Sequence, residues 1–203
     1  MKLYLIRHGR QCSKLCNVDV DLSEEGYRQA SLLGERLFRE KIQAVYSSSL
    51  LRAVETAHFI RPELGEISFG DMEGMSDEEI AVVYKDFKDQ QGRMEEDLPY
   101  PGGECACDVV RRAEPVFMEM VRSGYDRIAV VTHGGVIRSM TAHYLGIPMA
   151  RWRILGTSLE NCSITQLDWD EENGRFLLER FNDYAHLEPY PDLLRRAWVD
   201  AVN

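Results

Sequence analysis

Apolar residues fall along this chain in two alternating patterns. Leu3-Tyr4-Leu5-Ile6, Ala44-Val45-Tyr46 and Ile128-Ala129-Val130-Val131 are short unbroken runs, the mark of strands buried on both faces. Between them, apolar positions recur at helical spacing. Ala30, Leu33 and Leu37 line a helix expected over 23–40, with Ser23 as N-cap and Glu24 and Glu25 in its first turn. Val109, Ala113, Val116, Phe117 and Met120 line a longer one, entered from a loop over 99–103. A helix capped by Ser48 or Ser49 is expected to run from the 44–47 strand to about residue 60, and Ser76 with Glu79 forms a capping box for another. The segment 62–75, broken by Gly65, Gly70 and Gly74, reads as irregular. After the 128–132 strand a helix ends near Leu145-Gly146, with Pro148 beyond. The runs 163–169 and 175–181 pair as a hairpin through Asn173-Gly174, and Leu194, Ala197, Trp198 and Ala201 mark a terminal helix. That last helix offers an apolar face for the body or for a homodimer contact. No internal repeat or linker interrupts the pattern. Strands alternating with helices indicate an α/β sandwich with a mainly parallel sheet.

The 203 residues fit one domain, 1–203, with room for a proper core. A net charge of −10 argues against nucleic acid or an anionic membrane as partner, since both need a basic face. The opening apolar stretch stops at Arg7, too soon for a secretion signal, and no apolar run could span a bilayer. Five scattered cysteines suggest free thiols and a cytoplasmic setting. Cys12/Cys16 and Cys105/Cys107 each lack the second pair that a structural zinc site needs, so no metal is expected there.

Two strand ends carry the candidate chemistry. The first strand stops at Arg7-His8-Gly9, where Gly9 would let the chain turn sharply, and the 128–132 strand stops at His133-Gly134-Gly135. In open α/β sheets, ligands bind beyond the C-terminal ends of the strands. A neutral imidazole is a competent nucleophile and a guanidinium beside it holds anion oxygens, which points to phosphoryl chemistry on a histidine. Arg52, in the first turn of the helix after the 44–47 strand, adds a second anion-holding group with the helix N-terminus behind it. Glu63, Glu66 and Glu73 supply carboxylates in the irregular segment, and Arg111 and Arg112 read as solvated helix-face charges.

Taken in order, these residues form a more specific set. His8, Leu22-Ser-Glu-Glu-Gly26 with Gln29-Ala30, Tyr46-Ser-Ser48, Arg52-Ala53 with Thr56-Ala57, Glu66 through Gly70, Pro101-Gly-Gly-Glu104 and Thr132-His-Gly-Gly135 resemble the blocks of the histidine phosphatase superfamily, which includes the cofactor-dependent phosphoglycerate mutases. The resemblance spans residues 2–167. It implies a three-layer α/β/α, phosphoglycerate mutase-like sandwich, with His8 as the nucleophile that becomes phosphohistidine. It further implies that Arg7, Arg52 and His133, with Gly134 beside it, line the phosphate pocket, and that Glu66 protonates the leaving oxygen. No metal or cofactor is implied, since the cations and His133 carry the electrostatic load.

Three departures from the family pattern stand out. Arg10 follows Arg-His-Gly where the family commonly has Glu, and is a candidate for a second anionic group of the substrate. The 11–21 loop is short, which leaves Asn17 as the candidate for the family's phosphate-binding Asn. The interval from Thr56-Ala57 to Glu66 is also brief, and Glu66 is chosen over Glu73 because it stands four before Gly70. The expected activity is hydrolysis of a small-molecule phosphate monoester. The alternative is a phosphomutase, against which the short 11–21 and 75–99 segments argue, and a third reading is a phospholigand-binding regulator without turnover.

Overall fold

The computed structural model describes residues 1–54 and 59–200, with side chains up to residue 197. In chain order its main elements are β1 (Lys2–Arg7), α1 (Glu24–Leu37), β2 (Ala44–Ser47), α2 (Leu51–Val54), β3 (Phe59–Ile60), α3 (Asp77–Val83), α4 (Lys85–Arg93), α5 (Ala106–Arg122), β4 (Arg127–Thr132), α6 (Gly134–Tyr144), β5 (Ile164–Asp170), β6 (Arg175–Asp183) and α7 (Arg195–Asp200). The strands form one sheet in the order β3-β2-β4-β1-β5-β6. The β3-β2-β4-β1 part is parallel, and β5 and β6 are added antiparallel.

Side-chain alternation along β1 divides the core. Leu3 and Leu5 point to the layer of α5 and α6, where they meet Ile128, Val130, Val109, Phe117, Val136 and Met140. Tyr4 and Ile6 point the other way, to Ala129, Ile164, Leu33 of α1, Leu187 and Leu194. The expected sandwich of helix, sheet and helix is thus built from strands apolar on both faces. The periodic residues of α5 are all buried, and the terminal segment docks on the body through Leu193 and Leu194.

One element departs from expectation. The helix expected to reach about residue 60 is described only as Leu51–Val54, and Phe59–Ile60 is a strand whose residues pair in parallel with Tyr46 and Ser47. Aromatic and β-branched side chains favour that edge position, and the Phe59 ring packs 5.1 Å from that of Tyr46. Thr56, Ala57, Ala201 and the side chain of Trp198 lie outside the described residues. Gly9 corrects a second expectation. It does not take a positive φ; a Cβ there would stand 2.8 Å from the Gly26 carbonyl oxygen, so the glycine serves the close approach of α1 to the end of β1.

Phe117 is fully buried at the centre of the larger core. Phe117→Ala should cost about 3–5 kcal/mol of unfolding free energy, measurable by urea denaturation. A loss under about 1 kcal/mol would mean that the α5–sheet interface collapses around the cavity.

Candidate active site

The register of β1 against β4 sets the site. Arg7 pairs with Thr132, so the next residue of each strand, His8 and His133, leaves the sheet beside its counterpart. His8 N–H donates to the Thr132 carbonyl at 3.0 Å, and Asn161 Nδ2 donates to the His8 carbonyl at 2.9 Å. The two imidazole rings lie 5.0 Å apart, centroid to centroid, at 51°. Both are buried. Burial first, and then the nearby Arg7 and Arg52, hold the His8 pKa well below its usual range; burial and His8 itself do the same to His133.

Hydrogen bonds fix how each ring is presented. His8 Nδ1 lies 2.7 Å from the Gly9 carbonyl oxygen. A carbonyl only accepts, so Nδ1 carries the proton and Nε2 keeps its lone pair. His133 Nε2 lies 2.7 Å from Ser48 Oγ. Ser48 already accepts from Leu50 N–H, so its own hydroxyl proton is available to His133 Nε2. With Ser48 as the donor, His133 bears its proton on Nδ1, which is buried and has no hydrogen-bond partner among the described residues.

Two guanidiniums accompany the rings. Arg7 donates to the Leu159 carbonyl, and burial lowers its pKa to about 10. Arg52 is buried in α2, donating to the Val18 carbonyl at 3.0 Å and to Asn17 Oδ1 at 2.8 Å. The Nε atoms of both arginines are buried without a partner. Neither arginine forms a salt bridge among the described residues.

Glu66 is the carboxyl among these cations. Its Oε1 accepts from Ile67 N–H and Gly135 N–H, both at 2.9 Å, and its other oxygen has no protein donor among the described residues. Burial raises its pKa, and the two N–H donors with Arg7 and Arg52 only partly oppose that. Gly135 makes the arrangement sterically possible. A Cβ there would overlap Glu66 Oε1 and stand 2.6 Å from Ile67 Cγ2.

Asn17 sits at the edge of this cluster in the left-handed region, φ 46°, bridging Arg52 and Glu73 Oε1. Glu73 also accepts from Ser68 Oγ and Phe69 N–H. Gly134 opens α6 directly after His133. Arg10 is buried rather than solvent-facing; its guanidinium donates to the carbonyls of Leu193 and Leu194 at 3.2 and 3.3 Å.

Arg112 requires a correction. It is half-buried, forks onto Glu104 at 2.8 and 2.9 Å, and donates to the Glu63 and Glu66 carbonyls. Glu104 in turn accepts from Ser68 N–H, so the pair pins the segment carrying Glu66. Ser48, read from the sequence as a helix cap and as part of the Tyr46-Ser-Ser48 block but not as a site residue, and Asn161, not read at all, both contact the histidines. For Ser48 a signal exists: it follows the C-terminal end of β2, a third strand end beside the two histidines. Asn161 has none, because a single loop amide has no pattern.

A mainly parallel sheet with paired neutral imidazoles, buried guanidiniums and one carboxyl at its strand ends gathers the groups that phosphoryl transfer uses. The family model of the histidine phosphatase superfamily (branch 1) matches residues 3–183, and the chain belongs to that superfamily. It is 30% identical over 218 residues to the glucosyl-3-phosphoglycerate phosphatase of Mycobacterium tuberculosis, covering 92% of this chain and 96% of the relative. The structure of the mycobacterial glucosyl-3-phosphoglycerate phosphatase with inorganic phosphate superposes with a TM-score of 0.80 at 29% identity, over 91% of this chain and 98% of that one. Phosphoglycerate mutase-like protein 4 of Arabidopsis thaliana is 32% identical over 192 residues, 85% of this chain and 78% of the relative. Against the 6-phosphofructo-2-kinase/fructose-2,6-bisphosphatase of Caenorhabditis elegans, 31% identical over 161 residues, the chain spans only 35% of the relative's length and 73% of its own. The family and its phosphatase-named members make this chain a phosphoric monoester hydrolase of the histidine phosphatase kind.

Two buried neutral imidazoles destabilise the fold in acid. Unfolded, each protonates near the ordinary 6.5; folded, neither does until the pH is well lower. The unfolded chain therefore binds more protons below that point. Stability falls as pH drops from about 7 towards 5, with a slope approaching 1.4 kcal/mol per pH unit for each imidazole. Urea unfolding across this range should register the fall, and His133→Asn should remove about one imidazole's share. An unchanged slope in that variant would mean that His133 takes up a proton in the folded protein.

Proposed function

We propose that the chain hydrolyses a small-molecule phosphate monoester through a phosphohistidine on His8. The observation that carries this reading is the orientation of His8: Nδ1 committed to the Gly9 carbonyl leaves Nε2 unprotonated beside Arg7 and Arg52. In the first step Nε2 attacks phosphorus in line, a nitrogen–phosphorus bond forms, and the bond to the ester oxygen breaks. Arg7, Arg52 and the Nδ1–H of His133 hold the equatorial oxygens, where charge accumulates. Glu66, whose pKa burial raises, gives its proton to the departing alkoxide. In the second step the ionised Glu66 takes a proton from water, the oxygen attacks phosphorus, and His8 leaves with its lone pair restored. Gly134, at the start of α6, stands where its backbone N–H can help to hold the phosphoryl oxygens. Asn17 orients Arg52, and Arg10 acts through the terminal segment rather than on the substrate.

The phosphatase names of the relatives that this chain covers most fully support hydrolysis. Mutase-like names also occur among them; a mutase would return the phosphoryl group to the bound product instead of to water. The five cysteines, all free, suit a reducing cytoplasmic setting.

p-Nitrophenyl phosphate should be hydrolysed at an undiminished rate in EDTA and the reaction blocked by vanadate. His8→Ala should fall to background, and Arg52→Ala by about 10²–10³-fold in kcat. Activity that survives in His8→Ala would end the covalent scheme. With Glu66→Gln, p-nitrophenol is a good enough leaving group to depart unprotonated, but the water step lacks its base. That variant should release a burst of about one equivalent per site and stall as an acid-labile phosphoenzyme. A slow linear release with no burst would remove Glu66 from the second step. With 3-phosphoglycerate, exchange into 2-phosphoglycerate outpacing phosphate release would identify a mutase.

A further inference from the structure

The cations of this site do not end at Arg7 and Arg52. One short stretch, residues 153–160, gathers four guanidinium-bearing residues from separate parts of the chain. Arg7 donates to the Leu159 carbonyl. Arg138, on α6, donates through Nε to the Leu155 carbonyl at 3.1 Å. Arg153 belongs to the stretch itself and donates to Tyr100 Oη at 3.0 Å. Arg195 is anchored there by its backbone N–H, which donates to Glu160 Oε2 at 2.8 Å.

The terminal segment is strapped in place to deliver that last residue. Gln29 Nε2 donates to the Leu193 carbonyl at 2.7 Å, Gln29 Oε1 accepts from Arg10 N–H, and the Arg10 guanidinium takes the Leu193 and Leu194 carbonyls. Arg195 follows immediately. None of Arg7, Arg138, Arg153 and Arg195 forms a salt bridge among the described residues, in a chain with 34 acidic against 24 basic side chains. By contrast Arg28, Arg36, Arg61, Arg112, Arg175 and Arg180 each have a carboxylate. The repulsion is felt within the cluster: Arg153 and Arg195 both depress the pKa of Arg138, and Arg195 and Arg138 that of Arg7. Glu66 and Glu160 are the carboxyls that face them. Burial raises the pKa of Glu66, whose Oε1 is already taken by two backbone N–H groups, and Glu160 caps the Arg195 backbone.

Unpaired guanidiniums held together at a partly buried site are the complement of an anion. In the scheme above the phosphoryl group of the substrate takes Arg7 and Arg52, and the others have no part in it. We propose that Arg138, Arg153 and Arg195 form a second anion subsite, which selects phosphate esters carrying a further acid group, a carboxylate or a second phosphate, on the half that leaves. The subsite rests on the phosphatase reading above and adds the substrate class. It also accounts for Arg10, which holds the strap that brings Arg195 to the site.

Matched substrate pairs test this. 3-Phosphoglycerate and glycerol 3-phosphate differ in a carboxylate; fructose 1,6-bisphosphate and fructose 1-phosphate differ in a phosphate. The wild-type protein should favour the acid-bearing member of one pair in kcat/KM by at least about tenfold, and the pair that discriminates tells carboxylate from phosphate. In Arg153→Gln and Arg195→Gln that preference should drop at least fivefold, through KM for the acid-bearing member, and Arg195→Lys should recover part of it. No preference within either pair, or variants that weaken both members of a pair alike, would overturn the subsite. Failure to turn over any of these esters, p-nitrophenyl phosphate included, would instead remove the phosphatase reading and the subsite with it.

Discussion

The parallel pairing of β1 with β4 is the constraint on which the rest depends. It requires two strands buried on both faces to end at the same level, and it therefore fixes two imidazoles against each other where water is excluded. Everything electrostatic follows from that exclusion. Dry surroundings keep both rings neutral, strip Arg7 and Arg52 of solvent, and raise the pKa of Glu66. Desolvation of Arg7 and Arg52 is unfavourable in the free protein, and a phosphoryl dianion would offset that cost. The buried, unpartnered Nε atoms of Arg7 and Arg52 and Nδ1 of His133 are the structural trace of that compromise. The core offsets the strain, because the alternation of Leu3 and Leu5 against Tyr4 and Ile6 locks β1 to helical layers on both sides.

What can be read in the chain follows the reach of each signal. Strand-end histidines and helix-entry arginines are legible because periodicity locates the ends of elements, and in an α/β sheet the ends are where chemistry occurs. Glu66 is legible only through its distance from Gly70, since nothing local distinguishes it from Glu63 or Glu73. The pattern overextends the short helix after β2 because Phe59 and Ile60 fit a helix as well as an edge strand, and only pairing with Tyr46 and Ser47 decides between them. Arg112 resembles a solvated charge because helical spacing alone cannot report a partner such as Glu104, eight residues earlier in the chain and across a turn. Arg10 reads as a candidate for a second anionic group of the substrate; no sequence pattern ties it to the carbonyls of residues more than 180 positions away.

Arg10 shows how a local departure is absorbed at a distance. A charged residue so close to the nucleophile cannot face an apolar layer unpaired, and here it is satisfied by two backbone carbonyls of the terminal segment. Those carbonyls belong to residues that have just left a short helical turn and would otherwise need solvent. The exchange fastens the tail at one place, and Leu193 and Leu194 bury their side chains because the backbone is held.

The balance of charge explains why such clustering is useful in an acidic protein. At −10 overall, the surface field opposes an approaching anion. That field is screened within a Debye length of about 8 Å at physiological ionic strength, whereas the guanidiniums at the strand ends act at hydrogen-bond distance in a poorly solvated pocket. A ligand with a single weak charge gains little inside to offset the repulsion outside. In the proposed scheme a phosphoryl dianion would gain from Arg7, Arg52 and His133 at once, so the same distribution that repels anions in general would admit the one whose charge is dense enough to use every donor. On that scheme, selectivity for phosphate over common singly charged anions would need no dedicated side chain; it would follow from where the unpaired cations are buried.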